Sequence, residues 1–185
     1  DSAREITWFE GWGKTTKKPT NGLALFRDGP GLTVETDIKS TPERLWDLIS
    51  DINLPSNFSN EFEGAEWLDE PPQEGARFKG RNKNEKIGEW EVTCYIKSFE
   101  PNKVFAWAAG NIEKPAATWE FRLTPLAGAT RLSFAMVLGP GPSGLTRIIE
   151  QTPDSEKKII SNRQRDQYVN MRKTVEGIKE LAEQE

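Results

Sequence analysis

Along "ATWEFRLTPLAGATRLSFAMV", residues 117–137, a large apolar side chain falls at every second position. Trp119, Phe121 and Leu123 alternate with Glu120, Arg122 and Thr124; beyond the turn, Leu132, Phe134 and Met136 alternate with Arg131, Ser133 and Ala135. A period of two predicts a β-hairpin with one apolar and one mostly polar face. The same reading predicts strands over 32–38, 63–69, 76–84, 88–100 and 104–110. In the strand 88–100, Trp90, Val92, Cys94 and Ile96 point one way; in 104–110, Phe105 and Trp107 share a face. Between these two strands "EPNK" carries proline at its second position, a type I turn signal.

The period changes to that of a helix in "STPERLWDLISDI", residues 40–52. Ser40 or Thr41 serves as N-cap, Pro42 enters the first turn, and Leu45, Leu48, Ile49 and Ile52 form one stripe. "LPSNFSNEF" predicts a second, short helix or turn. After "GPGPSG", a sharply turning segment, a long helix runs from about Pro153 to the end. Its inward stripe is Ile160, Met171, Val175, Ile178, Leu181 and Ala182. Residues 1–31 read as a partly ordered arm that packs through its aromatics and has room for one short strand; residues 32–185 read as one domain. Strands joined by short turns, followed by a terminal helix, predict an α+β fold with the helix across an antiparallel sheet.

Composition narrows the chemistry. The 185 residues suit a single domain with a sizeable core, and no apolar run is long enough to span a bilayer. A net charge of -4 disfavours nucleic acid as a partner, and a single cysteine suits the cytoplasm. The chain has no histidine, which removes Ser-His-Asp and Cys-His triads and histidine-bound zinc or haem. No metal or other cofactor is expected. Any catalysis falls to carboxylates, Arg, Lys, Tyr or Cys94, and Cys94 on an apolar strand reads as a core thiol. Among the carboxylates, Asp51, Glu61, Glu66 and Asp69 come into question, with Glu66 facing out if Trp67 faces in.

The stretch from "VETDIKSTPERLWDLISDI" through "GARFKGRN" to "NMRKTVEGIKELAE", about Leu32 to Leu181, resembles the START-related, Bet v 1-like (SRPBCC) superfamily, particularly its bacterial polyketide cyclase/dehydrase-like members. The resemblance implies a helix-grip fold: a curved antiparallel sheet wrapped around a long C-terminal helix, with two short helices after the first strand and a cavity between sheet and helix. Phe58 stands where relatives often carry a Trp in the second helix. The first 31 residues lie outside the resemblance.

From the residues alone, a filled core and a ring-lined cavity are evenly balanced; the resemblance favours the cavity. Its candidate lining is Phe58, Phe78, Trp90, Phe105, Trp107, Trp119, Phe121, Phe134, Met136 and Met171. Near the start of the long helix the inward sector holds Arg163, Gln164 and Gln167, which either orient a ligand or snorkel into solvent. Tyr168, Arg163 and Glu61 are the candidate catalytic groups. The expectation is a binding protein for a small hydrophobic, ring-containing molecule of polyketide, lipid or aromatic type. The alternative is a polyketide cyclase-like enzyme that folds, cyclises or dehydrates a substrate in the same cavity, and a weaker one is a protein–protein interaction module. Val169 points away from the inward stripe; Trp8, Phe9 and Trp12 could cover it or another apolar patch, on the same chain or in a homodimer.

Overall fold

The computed structural model describes the backbone of residues 6–10 and residues 25–184 in full. Eight strands form one antiparallel sheet: β1 (Ile6–Glu10), β2 (Pro30–Ile38), β3 (Phe62–Trp67), β4 (Arg77–Asn84), β5 (Gly88–Glu100), β6 (Val104–Gly110), β7 (Pro115–Leu126) and β8 (Ala129–Leu138). Their spatial order is β1-β2-β8-β7-β6-β5-β4-β3, so the chain leaves β2 at one side, crosses to β3 at the far edge and returns by hairpins to β8. Helix α1 (Pro42–Ile49) and a 3-10 turn (Leu54–Asn57) make that crossing. Helices α2 (Gly144–Gln151) and α3 (Glu156–Glu183) follow β8. This is the helix-grip fold, with the curved sheet around α3.

The strand periodicity holds where one face is buried. Phe105 pairs with Phe121, Trp107 with Trp119, Trp119 with Met136 and Phe121 with Phe134. Inner rows therefore run straight across β6, β7 and β8, and the reading of 88–100 and 104–110 matches β5 and β6 at both ends. Outer positions carry cross-strand ion pairs such as Lys79–Glu91 at 3.3 Å. The arm contributes β1, whose backbone pairs antiparallel with the edge of β2, Ile6 opposite Val34. Whether Trp8, Phe9 and Trp12 cover an apolar patch lies outside the described residues. Val169 is 43% exposed.

Local chemistry explains most helix ends. Thr41, rather than Ser40, caps α1: its Oγ1 accepts the Arg44 N–H at 3.2 Å, with Pro42 in the first turn. Helix α1 buries Leu45, Ile49 and also Trp46, which the stripe omits. The Trp46 ring meets Phe99 edge-on at 5.1 Å. Helix α2 is absent from the periodicity reading. Its N-terminus is a reciprocal cap in which Ser143 Oγ accepts from Leu145 N while Thr146 Oγ1 accepts from Ser143 N. Thr146 occupies the place that Glu or Gln usually marks. Pro153 disfavours helical backbone at Thr152 and separates α2 from α3.

The "EPNK" turn is type II rather than type I. Lys103 N donates to Glu100 O, and Asn102 has φ 68, the left-handed value that the third position of a type II turn requires. Asparagine tolerates that region better than most residues.

Candidate interior binding site

Helix α3 lies directly on β2 and brushes β8; its backbone makes no comparable approach to β3–β7. Side chains bridge the widening gap. At the end beneath α1 they fill it: Ile38, Leu45, Ile49, Phe105, Phe121, Leu132, Val175 and Ile178 are all at most 2% exposed. Towards the N-terminal half of α3 the helix side chains Ile160, Gln164, Gln167 and Met171 are likewise buried, but two large rings of the sheet are not. Trp107 and Trp119 point into the concave face, packed against this core, yet both rings stay partly accessible. They lie parallel, 6.4 Å apart with 11° between their planes. Phe78 meets Trp107 edge-on at 6.1 Å, Trp67 meets Phe78 at 5.6 Å, and Phe134 lies 5.6 Å from Trp119. Rings from five strands thus form one wall across the sheet from β3 to β8, with β5 contributing none.

Opposite the wall, α3 contributes Ile160, Gln164, Gln167 and Met171, all buried. The two glutamines do not snorkel: Gln164 is 1% and Gln167 4% exposed. Gln164 Nε2 donates to Gln167 Oε1 at 2.8 Å and faces the Met136 sulfur at 3.5 Å. Gln164 Oε1 is buried and has no hydrogen-bond partner. A buried amide oxygen without a donor is unfavourable by about 1–3 kcal/mol.

The three candidate catalytic residues are each engaged with other groups. Arg163 grips Glu61 through two parallel hydrogen bonds, Nη1 to Oε1 at 2.6 Å and Nη2 to Oε2 at 2.8 Å. Asn84 Nδ2 adds a third donor to Glu61 at 3.0 Å. Both charged side chains are only 11% and 13% exposed, so the pair clamps the start of α3 onto the segment entering β3. Tyr168 packs against the core with its hydroxyl accepting from Arg172 Nη1 at 3.2 Å.

Other candidates lie elsewhere. Trp90 shares the parity of Val92 and Cys94 but sits half-buried opposite Asn82, outside the core. Phe58 lies over the helix: its ring fills a notch at Gly177, where a Cβ would come within 2.4 Å of Cδ1. Asp51 accepts the Asn53 N–H, and exposed Asp69 pairs with Arg77, whose hydrogen bond lowers the Asp69 pKa. Burial pushes the Cys94 thiol up to about 12, which keeps it protonated and unreactive as a nucleophile. Among the described residues no cluster of three His, Cys, Asp or Glu could hold a metal ion, and no helix is long and apolar enough to cross a membrane. A groove of about 270 Å³ lies away from the ring wall, where Phe26 and Arg27 meet Lys97, Thr118 and Val137.

Two participants, Trp67 and Asn84, are missing from the candidate site residues. Trp67 had a signal, since the strand alternation that turns Glu66 out turns Trp67 in, as observed. Asn84 had none, because its role depends on where Glu61 arrives.

Residues 30–162 match the family described as polyketide cyclase / dehydrase and lipid transport. The chain belongs to that family. No functionally curated protein matches it significantly. Among solved structures, family-like folds include the polyketide-cyclase-like protein Cgl2372 from Corynebacterium glutamicum, at 24% identity and TM-score 0.60, covering 82% of this chain and 90% of that one. The aromatase/cyclase Zhui from Streptomyces sp. R1128 has 12% identity and TM-score 0.59, over 80% of this chain and 92% of that one. The di-domain aromatase/cyclase BexL of the BE-7585A biosynthetic pathway has 14% identity and TM-score 0.62, over 84% of this chain and 50% of that one. At these identities the likeness is one of fold, and family membership is consistent with a hydrophobic ligand between sheet and helix.

Proposed function

We propose that this protein binds a small, ring-bearing hydrophobic molecule between the concave face of the sheet and the N-terminal half of α3. The observation that supports this reading is the incomplete burial of Trp107 and Trp119 in the middle of the concave face, across from two buried glutamines. A two-ring ligand that buries about 250 Å² gains about 6 kcal/mol before association costs. That gain corresponds to a Kd of about 40 μM, and association costs weaken it, so simple probes should bind in the high-micromolar to millimolar range.

Binding is favoured over cyclisation by the state of the candidate catalytic groups. Arg163 and Glu61 neutralise each other in a two-point ion pair, so neither is free to polarise a carbonyl or move a proton while the pair persists. The cyclase reading draws on the names of the aromatase/cyclases of the same fold and would leave Tyr168 as its proton carrier.

Titration with naphthalene and 2-naphthol, followed by tryptophan fluorescence and thermal shift, tests the proposal. Saturable quenching with a raised melting temperature, weakened at least tenfold by Trp119→Ala, is expected. Absence of saturable binding by two- and three-ring hydrocarbons and phenols alike would overturn it.

A further inference from the structure

Granted the proposed binding between sheet and α3, on which this inference rests, Gln164 carries information about the ligand beyond its rings. The amide orientation is set by its neighbours. A thioether sulfur is an acceptor only, so the Gln164 atom facing Met136 Sδ at 3.5 Å is the NH₂ group. The same nitrogen donates to Gln167 Oε1 at 2.8 Å. Both amide hydrogens are thereby assigned, and the group left over is the carbonyl oxygen, buried without a partner. It lies on a side chain 1% exposed, fixed by Gln167 and resting on Met136, whose strand partner is Trp119.

The oxygen exposes almost no surface, so a ligand must part the side chains around it, and an acceptor uncovered in that way selects for a donor. A hydroxyl or amine on the ligand would complete the hydrogen bonding of Gln164; an ether or ketone oxygen would face another lone pair. A carboxylate would fare worse, because the adjacent cation, Arg163, has both terminal nitrogens committed to Glu61. We infer that the ligand is a neutral, hydroxylated aromatic molecule, a phenol or naphthol type, whose O–H donates to Gln164 Oε1.

The test compares four probes of one ring size: 2-naphthol, 2-methoxynaphthalene, naphthalene and 2-naphthoate. Wild-type protein should bind 2-naphthol about tenfold more tightly than the ether or the hydrocarbon, with naphthoate weakest. In Gln164→Met, which replaces the amide oxygen by a much weaker thioether acceptor at similar volume, the preference for naphthol should shrink to within about twofold while naphthalene binds at least as well. Equal wild-type affinities for naphthol, ether and hydrocarbon would overturn the inference and leave the binding proposal standing. A naphthol preference that survives Gln164→Met would equally remove Gln164 as its source. No binding of any probe would defeat the binding proposal, and this inference with it. Should Gln164→Met fail to fold, Gln164→Leu takes its place, and equal wild-type affinities still overturn the inference.

Discussion

Replacing Gly177 by Ala inverts an ordinary expectation. In the interior of a helix the exchange normally stabilises by about 1 kcal/mol, because glycine sacrifices more backbone freedom on folding. Here the new Cβ would sit 2.4 Å from Phe58 Cδ1 and Cε1 and 2.7 Å from Cγ. Contact at Cγ means the base of the ring is blocked, so a simple ring rotation gives no relief. Either Phe58 leaves its notch or α3 shifts from the sheet. Overpacking of this kind is unfavourable by about 1–3 kcal/mol. The net expectation is a destabilisation of about 1–2 kcal/mol, a fall of about 3–7 °C in Tm for a chain of this length. In a Phe58→Ala background the obstacle is gone and the same substitution should raise stability by about 0.5–1 kcal/mol. Urea denaturation of the four members of this cycle measures both signs and a coupling near 2–3 kcal/mol. A Gly177→Ala variant more stable than wild type with Phe58 in place would refute the reasoning.

Two further expectations concern charge and reactivity. Glu61→Gln leaves Arg163 largely buried without its counter-charge; by chemical denaturation it should destabilise by about 2–4 kcal/mol, and a change below about 0.5 kcal/mol would mean the pair is solvent-screened after all. For Cys94, burial raises the folded pKa to about 12, so the stabilisation from keeping the neutral thiol inside is complete below the unfolded-state pKa near 8.5 and is lost as pH rises towards 12. Iodoacetamide at pH 8 should accordingly modify Cys94 at least a hundredfold more slowly in native protein than in urea, and comparable rates would show the thiol to be accessible.

The extent to which the chain announces itself differs from element to element. Strands β5 and β6 are legible to the residue because β5 alternates apolar and polar side chains around its buried Cys94 and Ile96, while β6 is a short apolar run, buried on both faces and bounded by the Pro-Asn turn and Gly110. Helix α1 is legible from Thr41 and Pro42, whose roles are local. Helix α2 carries a short stripe, Leu145, Ile148 and Ile149, but it follows a Gly- and Pro-rich turn and its cap uses Thr146 where Glu or Gln is the usual sign. Trp46 falls outside the helical stripe and turns inward only because Phe99 and Phe105 offer ring edges.

The Glu61–Arg163 pair and the glutamines mark the boundary between the two kinds of information. Sequence alone determined that Arg163, Gln164 and Gln167 share the angular sector of the apolar stripe of α3, since a helix spaces its faces by rule, and it left open whether they turn to a ligand or to solvent. It also determined that no histidine serves this protein. Only the tertiary structure decided that Glu61 meets Arg163 across 102 residues, and that Gln164 finds Gln167 and Met136 but nothing for its oxygen. Those outcomes depend on sheet curvature and on the register that places β3 and β8 against α3. Register and curvature arise from the summed packing of all eight strands, and no local pattern of residues encodes them.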